Sequence, residues 1–459
     1  MRRARSAGLL CGIVSLGLGA MSAAAQPSEQ PVTPAAKTTP SREVYLRLAD
    51  EVETVLRKDV LGAWFPRTVD EQNGGFRADF KRDWSLAPSG GKFSVFQGRM
   101  TWITAQVAMR RPDLRAKYLP YVAHGLAYLN EVMWDARSGG FYWGLDDQAQ
   151  ISPVYGDRKL VYGIAFCLYG ASAAAQATKD PKALALAERA FRWLEQYAHD
   201  DENGGYHETL SRDGRPLPPD PDAGRHEGTV LAPFPVGYKS MNTHIHLLEA
   251  FTELSRVFTD GLLRQRLEEL LTIVRDEIAV DPGVMSLYFT SDWRPVPDHD
   301  SYGHDVEAAY LMLEAAEALG RPHDPKTERM ARKLVDHALA FGWDEDQGGF
   351  FRVGTTFGKP EDKDKEWWVQ FEGLNSLLLM HETYGLQTDA YFTAFLRQWQ
   401  FIKERQIDPE HAGVYEMVGP DGVPKNPGKG RIWKAAYHDG RALLNVSERL
   451  RELAKQASV

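Results

Sequence analysis

Three of the thirteen histidines stand where proton transfer is chemically plausible. The stretch "SMNTHIHLLEA" (240–250) sets His244 and His246 two residues apart at the front of an apolar, helix-like run. On a helix, i and i+2 point to nearly opposite sides, so the two histidines cannot share one role. In "GHDVE" (303–307), His304 and Glu307 stand at i and i+3 and can touch. A carboxylate beside an imidazole raises its pKa and fixes its tautomer, which suits a general acid or base. His438 lies in "WKAAYHDGR" (433–441). Arg99 could steady a developing oxyanion or hydrogen-bond hydroxyl groups. Trp367 and Trp368 in "KEWWVQFE" offer flat apolar faces of the kind that stack on sugar rings. A metal bound by His246, His304 and His438 is set aside, because they are scattered rather than placed at H-x-x-x-H spacing. His124, His199, His207, His323, His337 and His381 read as structural or solvated.

The elements that must position these residues are visible as a repeat. "NGGF" (73–76), "SGGF" (138–141), "NGGY" (203–206) and "QGGF" (347–350) recur, with weaker echoes "PGVM" (282–285) and "AGVY" (412–415). Their first small positions are spaced 65, 65, 78, 66 and 64 residues apart, and an Asp precedes five of them. Asp-x-x-x-Gly-Gly-aromatic is a turn admitting positive φ, followed by a short extended piece with a buried ring. An amphipathic helix precedes each turn, as in Leu119, Val122, Leu126, Leu129 and Met133. A second, more apolar helix follows, expected at 160–178, 242–258, 304–319, 370–384 and 438–453. Six helical hairpins with no long strand predict an all-α, closed toroid, with the apolar helices inside.

Within this repeat Arg99, Lys159, His304, Trp368 and His438 fall 20 to 26 residues after the turn. His246 falls 42 after it, behind the loop-like insertion Pro216 to Pro235. Similar phase in a closed ring implies similar height, so these side chains are expected to converge at the mouth of the central cavity.

Composition bounds the rest. At 43% hydrophobic the chain can build a large core. Arg2, Arg3 and Arg5, an apolar stretch from Leu9 to Leu18 and the Ala23–Ala25 pattern predict a signal peptide over 1–25, with cleavage at Cys11 as a lipoprotein the alternative. Residues 26–41 read as a flexible leader and 42–459 as one catalytic domain. A periplasmic or secreted protein follows, with no membrane anchor after signal removal. Cys167 then stands alone, so no internal disulfide forms. Without the signal's three arginines the net charge moves from −9 to −12, which argues against nucleic acid as partner. A monomer is the default state and a dimer the alternative.

With "GRMTW" (98–102), "KLVYGIAF" (159–166), "MNTHIH" (241–246), "GHDVE", "EWWVQFE" (366–372) and "WKAAYHDGR" in order, the chain resembles the N-acylglucosamine 2-epimerase superfamily. Its motifs are most similar to the cellobiose 2-epimerase branch. The resemblance implies an (α/α)6 barrel and a cofactor-independent isomerase acting on a small sugar. It implies catalytic or near-catalytic roles for Arg99, His246, His304, Glu307 and His438. Asn242, Trp368 and Trp433 would contact sugar, with Trp367, Tyr162 and Lys159 as further substrate-binding candidates. Asn242 and His246 then share a face at i and i+4, leaving His244 on the opposite side. By the same resemblance His304 and His438 exchange the C2 proton, His246 and Arg99 stabilise an enediolate, and Glu307 orients His304. Asp439 stands where Asn is expected, and its charge is expected to raise the pKa of His438. The implied reaction is epimerisation at C2 of the reducing-end glucose of a disaccharide such as cellobiose. The alternatives are mannose–fructose isomerisation and N-acylglucosamine epimerisation. A glycoside hydrolase would need two facing acids, and Glu307 is the one clear acid in phase. A non-catalytic sugar-binding toroid would not need in-phase histidines.

Overall fold

The computed structural model describes residues 40–219, 235–355 and 358–457. The expected signal peptide, nearly all of the leader and most of the Pro216–Pro235 insertion lie outside these residues. Among the described residues, twelve long helices alternate between two layers. The outer ones are α1 (Arg42–Val55), α3 (Arg115–Tyr128), α5 (Pro181–Tyr197), α7 (Gly261–Ile273), α9 (Pro325–Phe341) and α11 (Ala390–Phe401). The inner ones are α2 (Ser94–Arg110), α4 (Val161–Thr178), α6 (Met241–Ser255), α8 (Tyr302–Ala318), α10 (Trp367–Tyr384) and α12 (His438–Gln456). Each inner helix packs on its inner neighbours and on the outer helix that follows it. Closure comes from α12, which packs on α1 and touches α2. This is the expected (α/α)6 barrel, and among the described residues no helix is long and apolar enough to cross a membrane.

Local chemistry explains the two layers. In α4, Ala, Gly, Phe, Tyr and Leu leave nearly every side buried, as an inner helix requires. By contrast α5 and α9 bury one stripe and start from Asp180 and Asp324, each of which caps the helix and is followed by Pro. Gly74 and Gly75, Gly139 and Gly140, Gly204 and Gly205, and Gly348 and Gly349 all take positive φ. A Cβ on Gly75 would also collide with Gln97 and Tyr128.

Short strand pairs stitch one repeat to the next in a constant register. Lys92 lies opposite Leu145, Lys159 opposite Leu210, Lys239 opposite Phe289 and Lys365 opposite Val418. Asp300 holds the same place in the fourth repeat, bridged to Gly354. The lysines clamp the turns. Lys92–Asp70 (2.7 Å), Lys159–Asp135 (3.0 Å), Lys239–Asp200 (2.8 Å) and Lys365–Asp344 (2.7 Å) are buried ion pairs. In the last repeat Lys429 and Asp408 do the same at 2.7 Å. Lys159 is therefore no substrate ligand. Its ammonium is fully buried against Asp135 and over the Tyr142 ring, and burial lowers its pKa to about 8. Its phase after the turn reflects the clamp and not the cavity.

A second device holds three of the turns from the inner helix. Gln97 accepts a hydrogen bond from the Phe76 amide (2.8 Å), and Gln370 one from Phe350 (2.9 Å). His244 does the same for Tyr206, its Nε2 accepting at 3.0 Å while Nδ1 pairs with the Ser240 carbonyl at 2.7 Å. The expected division of faces thus holds: His244 points at the turn, and burial lowers its pKa to about 3. His244→Gln should reproduce the neighbouring repeats, with kcat retained and unfolding free energy changed by less than about 1 kcal/mol. Denaturant titration beside steady-state rates checks this; a large loss of kcat would place His244 in the chemistry.

Candidate active site

A common register, counted from the strand or bridge residue before each inner helix, organises the site into layers. Seven residues beyond Lys92, Lys159, Lys239, Asp300, Lys365 and Lys434 stand Arg99, Phe166, His246, Glu307, Glu372 and Arg441. Four residues beyond Asp300 and Lys434 stand His304 and His438, so these two are equivalent positions two steps apart round the ring. The equal height expected for all the site residues is therefore corrected. His304, Trp368 and His438 begin the inner helices, while Arg99 and His246 sit about one turn deeper.

The upper layer is partly open. Asn242, His304, Trp368 and Trp433 are half-buried. Trp368 packs against both His304 (centroids 4.7 Å apart) and His438 (5.5 Å). Trp367 does not share this wall. It is 2% exposed and edge-on to His438, so its ring is core. Asn242 keeps its Oδ1 buried without a hydrogen-bond partner among the described residues, an acceptor ready for a hydroxyl.

Each histidine is held by one nitrogen. Nδ1 of His438 pairs with the Glu372 carboxyl (2.8 Å), and Nδ1 of His246 donates to Glu249 (2.9 Å). His304 pairs its Nδ1 with the Ser301 hydroxyl at 2.6 Å. In all three, Nε2 makes no hydrogen bond among the described residues and is left for a ligand. Glu307 does not orient His304 as expected. It binds Arg441 at 2.5 Å and lies 3.7 Å from Nδ1 of His438. An i, i+3 spacing permits contact, but a buried guanidinium is the stronger partner for a carboxylate.

Beneath the histidines, Arg441 is the hub. It donates to Glu249, to Glu307, to Glu372 (2.6 Å) and to the Tyr437 hydroxyl (2.5 Å), all buried. Despite burial, Arg441 and the His246 bond draw Glu249 down to about 2. Burial raises Glu372 to about 8 even against Arg441, with the Glu307 charge adding to the rise. Burial, then the nearby arginines and histidines, hold His438 well below its usual value, and burial lowers His304 to about 3. Two interacting groups titrate as one unit, so the Glu372–His438 pair retains one proton near neutrality that Nε2 can deliver. Asp439 does not raise His438. It is buried near Lys434, caps the Gly440 amide (3.0 Å), and is itself pushed up by burial to about 6. The ligand atoms of Glu307, Glu372 and His438 lie within 4.8 Å of one another, but Arg441 already supplies a cation there.

Arg99 completes the wall. Its guanidinium lies 4.3 Å over Phe166 and 4.9 Å over Tyr437. It donates to the Trp433 carbonyl (3.3 Å) and to the Tyr162 hydroxyl (3.2 Å), while its Nε–H has no partner among the described residues. Tyr162 is 3% exposed, so it supports Arg99 through its hydroxyl instead of lining the open wall. The spacing argument brought together His246, His304, His438, Arg99 and Trp368. It missed Glu249, Glu372, Tyr437 and Arg441, although Glu249 and Arg441 follow His246 and His438 by three residues. The assembly combines a neutral imidazole, a proton-holding imidazole–carboxyl pair and unpaired donors, which is the equipment for moving a carbon-bound proton.

Comparisons with known proteins agree with this equipment. Residues 74–440 match the family described as N-acylglucosamine 2-epimerase (GlcNAc 2-epimerase). The chain is 30% identical over 405 residues to a cellobiose 2-epimerase of Bacteroides fragilis, covering 87% of this chain and 98% of that one. It is 23% identical to a D-mannose isomerase of Marinomonas mediterranea, covering 84% and 94%. The solved cellobiose 2-epimerase of Spirochaeta thermophila superposes with a TM-score of 0.78 at 30% identity, covering 90% of this chain and 98% of that one.

Proposed function

Since the chain belongs to the N-acylglucosamine 2-epimerase family, we propose that it is a sugar 2-epimerase that inverts C2 of the reducing-end glucose of a β-linked disaccharide such as cellobiose. The observation that carries this reading is the pair of equivalent histidines, His304 and His438, packed on either contact of one half-buried tryptophan. Inversion needs ring opening, removal of the C2 proton and its replacement on the other face. In the forward direction Nε2 of neutral His304 takes the proton from C2, leaving an enediolate. His438, backed by Glu372, delivers a proton to the opposite face. The pair is then reset by exchange with solvent, and the reverse reaction interchanges the roles. The same two groups open the ring by moving a proton from O1 to O5. Arg99 and His246 stabilise charge at O1 and O2, with Asn242 accepting from a hydroxyl and Trp368 and Trp433 bounding the sugar.

Aldose–ketose isomerisation differs only in where the proton returns, and the mannose isomerase relative favours it as the second reading. Export to the periplasm or medium belongs to the same proposal, supported by the basic head, apolar stretch and Ala23–Ala25 pattern. Incubation with cellobiose, lactose and mannose, with products read by NMR, tests the assignment. A disaccharide with a mannose reducing end is expected. A ketose would favour the isomerase, and free glucose from cellobiose would overturn both.

A further inference from the structure

The fourth repeat breaks the clamp rule twice. Where Asp70 follows Val69 in the first turn ladder (Val69–Phe76), Val280 follows Ala279 in the fourth (Ala279–Met285). Where four neighbours carry lysine, this repeat carries Asp300. Both halves of the ion pair are gone together. In their place stand Asp300, Asp305 and His337, the last from the outer helix α9, exposed by 1%, 0% and 4%. Ligand atoms of the three lie within 4.8 Å of one another, with Nδ1 of His337 3.6 Å from Oδ2 of Asp300. Asp300 and Asp305 face each other as hydrogen-bond partners, with the Ser301 amide at Asp300 and the Met285 amide at Asp305, and the Tyr302 hydroxyl beside them is buried without a hydrogen-bond partner among the described residues. Tyr302 is close enough for both carboxylates to raise its pKa beyond what burial does.

Two buried carboxylates with no lysine or arginine are costly unless paired or bound to metal. We infer that the chain holds one divalent metal ion between Asp300, Asp305 and His337, supplying the positive charge that a buried lysine supplies in the other repeats. Two carboxylates and an imidazole match zinc or manganese better than calcium or magnesium, which favour oxygen donors throughout. Bonds of about 2 Å place ligand atoms roughly 3–4 Å apart, in keeping with the spacing here. Burial raises the Asp300 carboxyl to about 7, against the hydrogen bond to Asp305 and a smaller pull from His299. Burial and the facing Asp300 push Asp305 well up, against a smaller pull from the Met285 amide. The ion lies outside the sugar site but braces the start of α8, where Ser301 holds His304.

The test uses the whole chain, stripped with a chelator and titrated separately with ZnCl2 and MnCl2 by calorimetry, with thermal unfolding alongside. One ion per chain and a raised unfolding midpoint are expected. Asp305→Asn and His337→Gln should each weaken binding on the order of 100-fold. Asp300→Lys, which restores an ammonium covalently, should abolish binding while leaving the stripped chain at least as stable as the parent. No binding of either ion overturns the inference. So does binding that survives Asp305→Asn and His337→Gln, which would mark an ion held elsewhere. A stripped Asp305→Asn chain more stable than the parent, with no ion bound by the parent, would mark a shared proton instead of a metal.

Discussion

His438→Asn is expected to lower kcat for epimerisation by about 10³-fold or more, with a much smaller change in KM. Asn keeps a polar side chain that Glu372 can accept a bond from at the position of Nδ1, so the fold and the wall around Trp368 survive. What disappears is the proton on Nε2, together with the group that opens the ring. His304→Asn is expected to match this loss, because the two positions do equivalent jobs on opposite faces. Their double variant should be little worse than either single one, since a broken relay cannot be broken again. A decrease of tenfold or less for either single change would remove that histidine from proton transfer. Far-UV circular dichroism and unfolding midpoints separate lost chemistry from lost structure.

Arg441→Met is expected to be the most destabilising single change in the site, by about 3–5 kcal/mol, because it leaves buried carboxylates uncompensated. Glu249, Glu307 and Glu372 all lean on that one guanidinium, which is 1% exposed. The loss should depend on pH with a definite sign. Arg441, with the bond from His246, draws Glu249 down to about 2 against its burial. A carboxyl depressed in the folded state adds stability above its unfolded pKa, near 4.3, and loses that share as pH falls through the folded value. Without Arg441 the carboxyls rise instead, and the folded state then gains from protonation. The gap between variant and parent should therefore be wide at pH 8 and narrow steadily toward pH 4. A gap independent of pH would show that Arg441 contributes packing rather than charge. Activity should fall together with stability, since His246 and His438 take their orientation from two of the same carboxylates.

The architecture was legible because its signals are local. A pair of glycines at positive φ, preceded by an Asp that caps the turn, marks the same backbone event in each strong repeat, and spacing near 65 residues then implies a ring. The site was half legible. Counting from the glycine turn crosses loops of unequal length, so the offsets of 20 to 26 residues blurred two helical turns into one layer. Counting from the strand or bridge residue before each inner helix crosses no loop, and the constant offset of seven from Lys92, Lys239, Asp300, Lys365 and Lys434 aligns Arg99, His246, Glu307, Glu372 and Arg441. That alignment depends on recognising the lysine as structural. Lys159, taken from spacing alone, looked like a cavity residue. The pairing of Glu307 with His304 failed for a different reason. Helical spacing states which groups can meet, but the choice between an imidazole on the same helix and an arginine 134 residues away is made by tertiary structure. Asp439 failed likewise, since adjacency along a helix turns its carboxyl away from the ring of His438 and toward Gly440 and Lys434.

The central claim is proton exchange at C2 by two groups on opposite faces, and its most direct measurement is the isotope carried by the first product formed in D2O. Cellobiose with ordinary hydrogen at C2 is incubated with the parent protein and sampled by NMR while conversion is still low. The epimer should carry deuterium at C2 in essentially every molecule, while unreacted cellobiose keeps its hydrogen, because the base that takes the proton is not the acid that returns one. An epimer that retains its C2 hydrogen would contradict this, since it would require a single group, or a hydride, to carry the original atom from one face to the other.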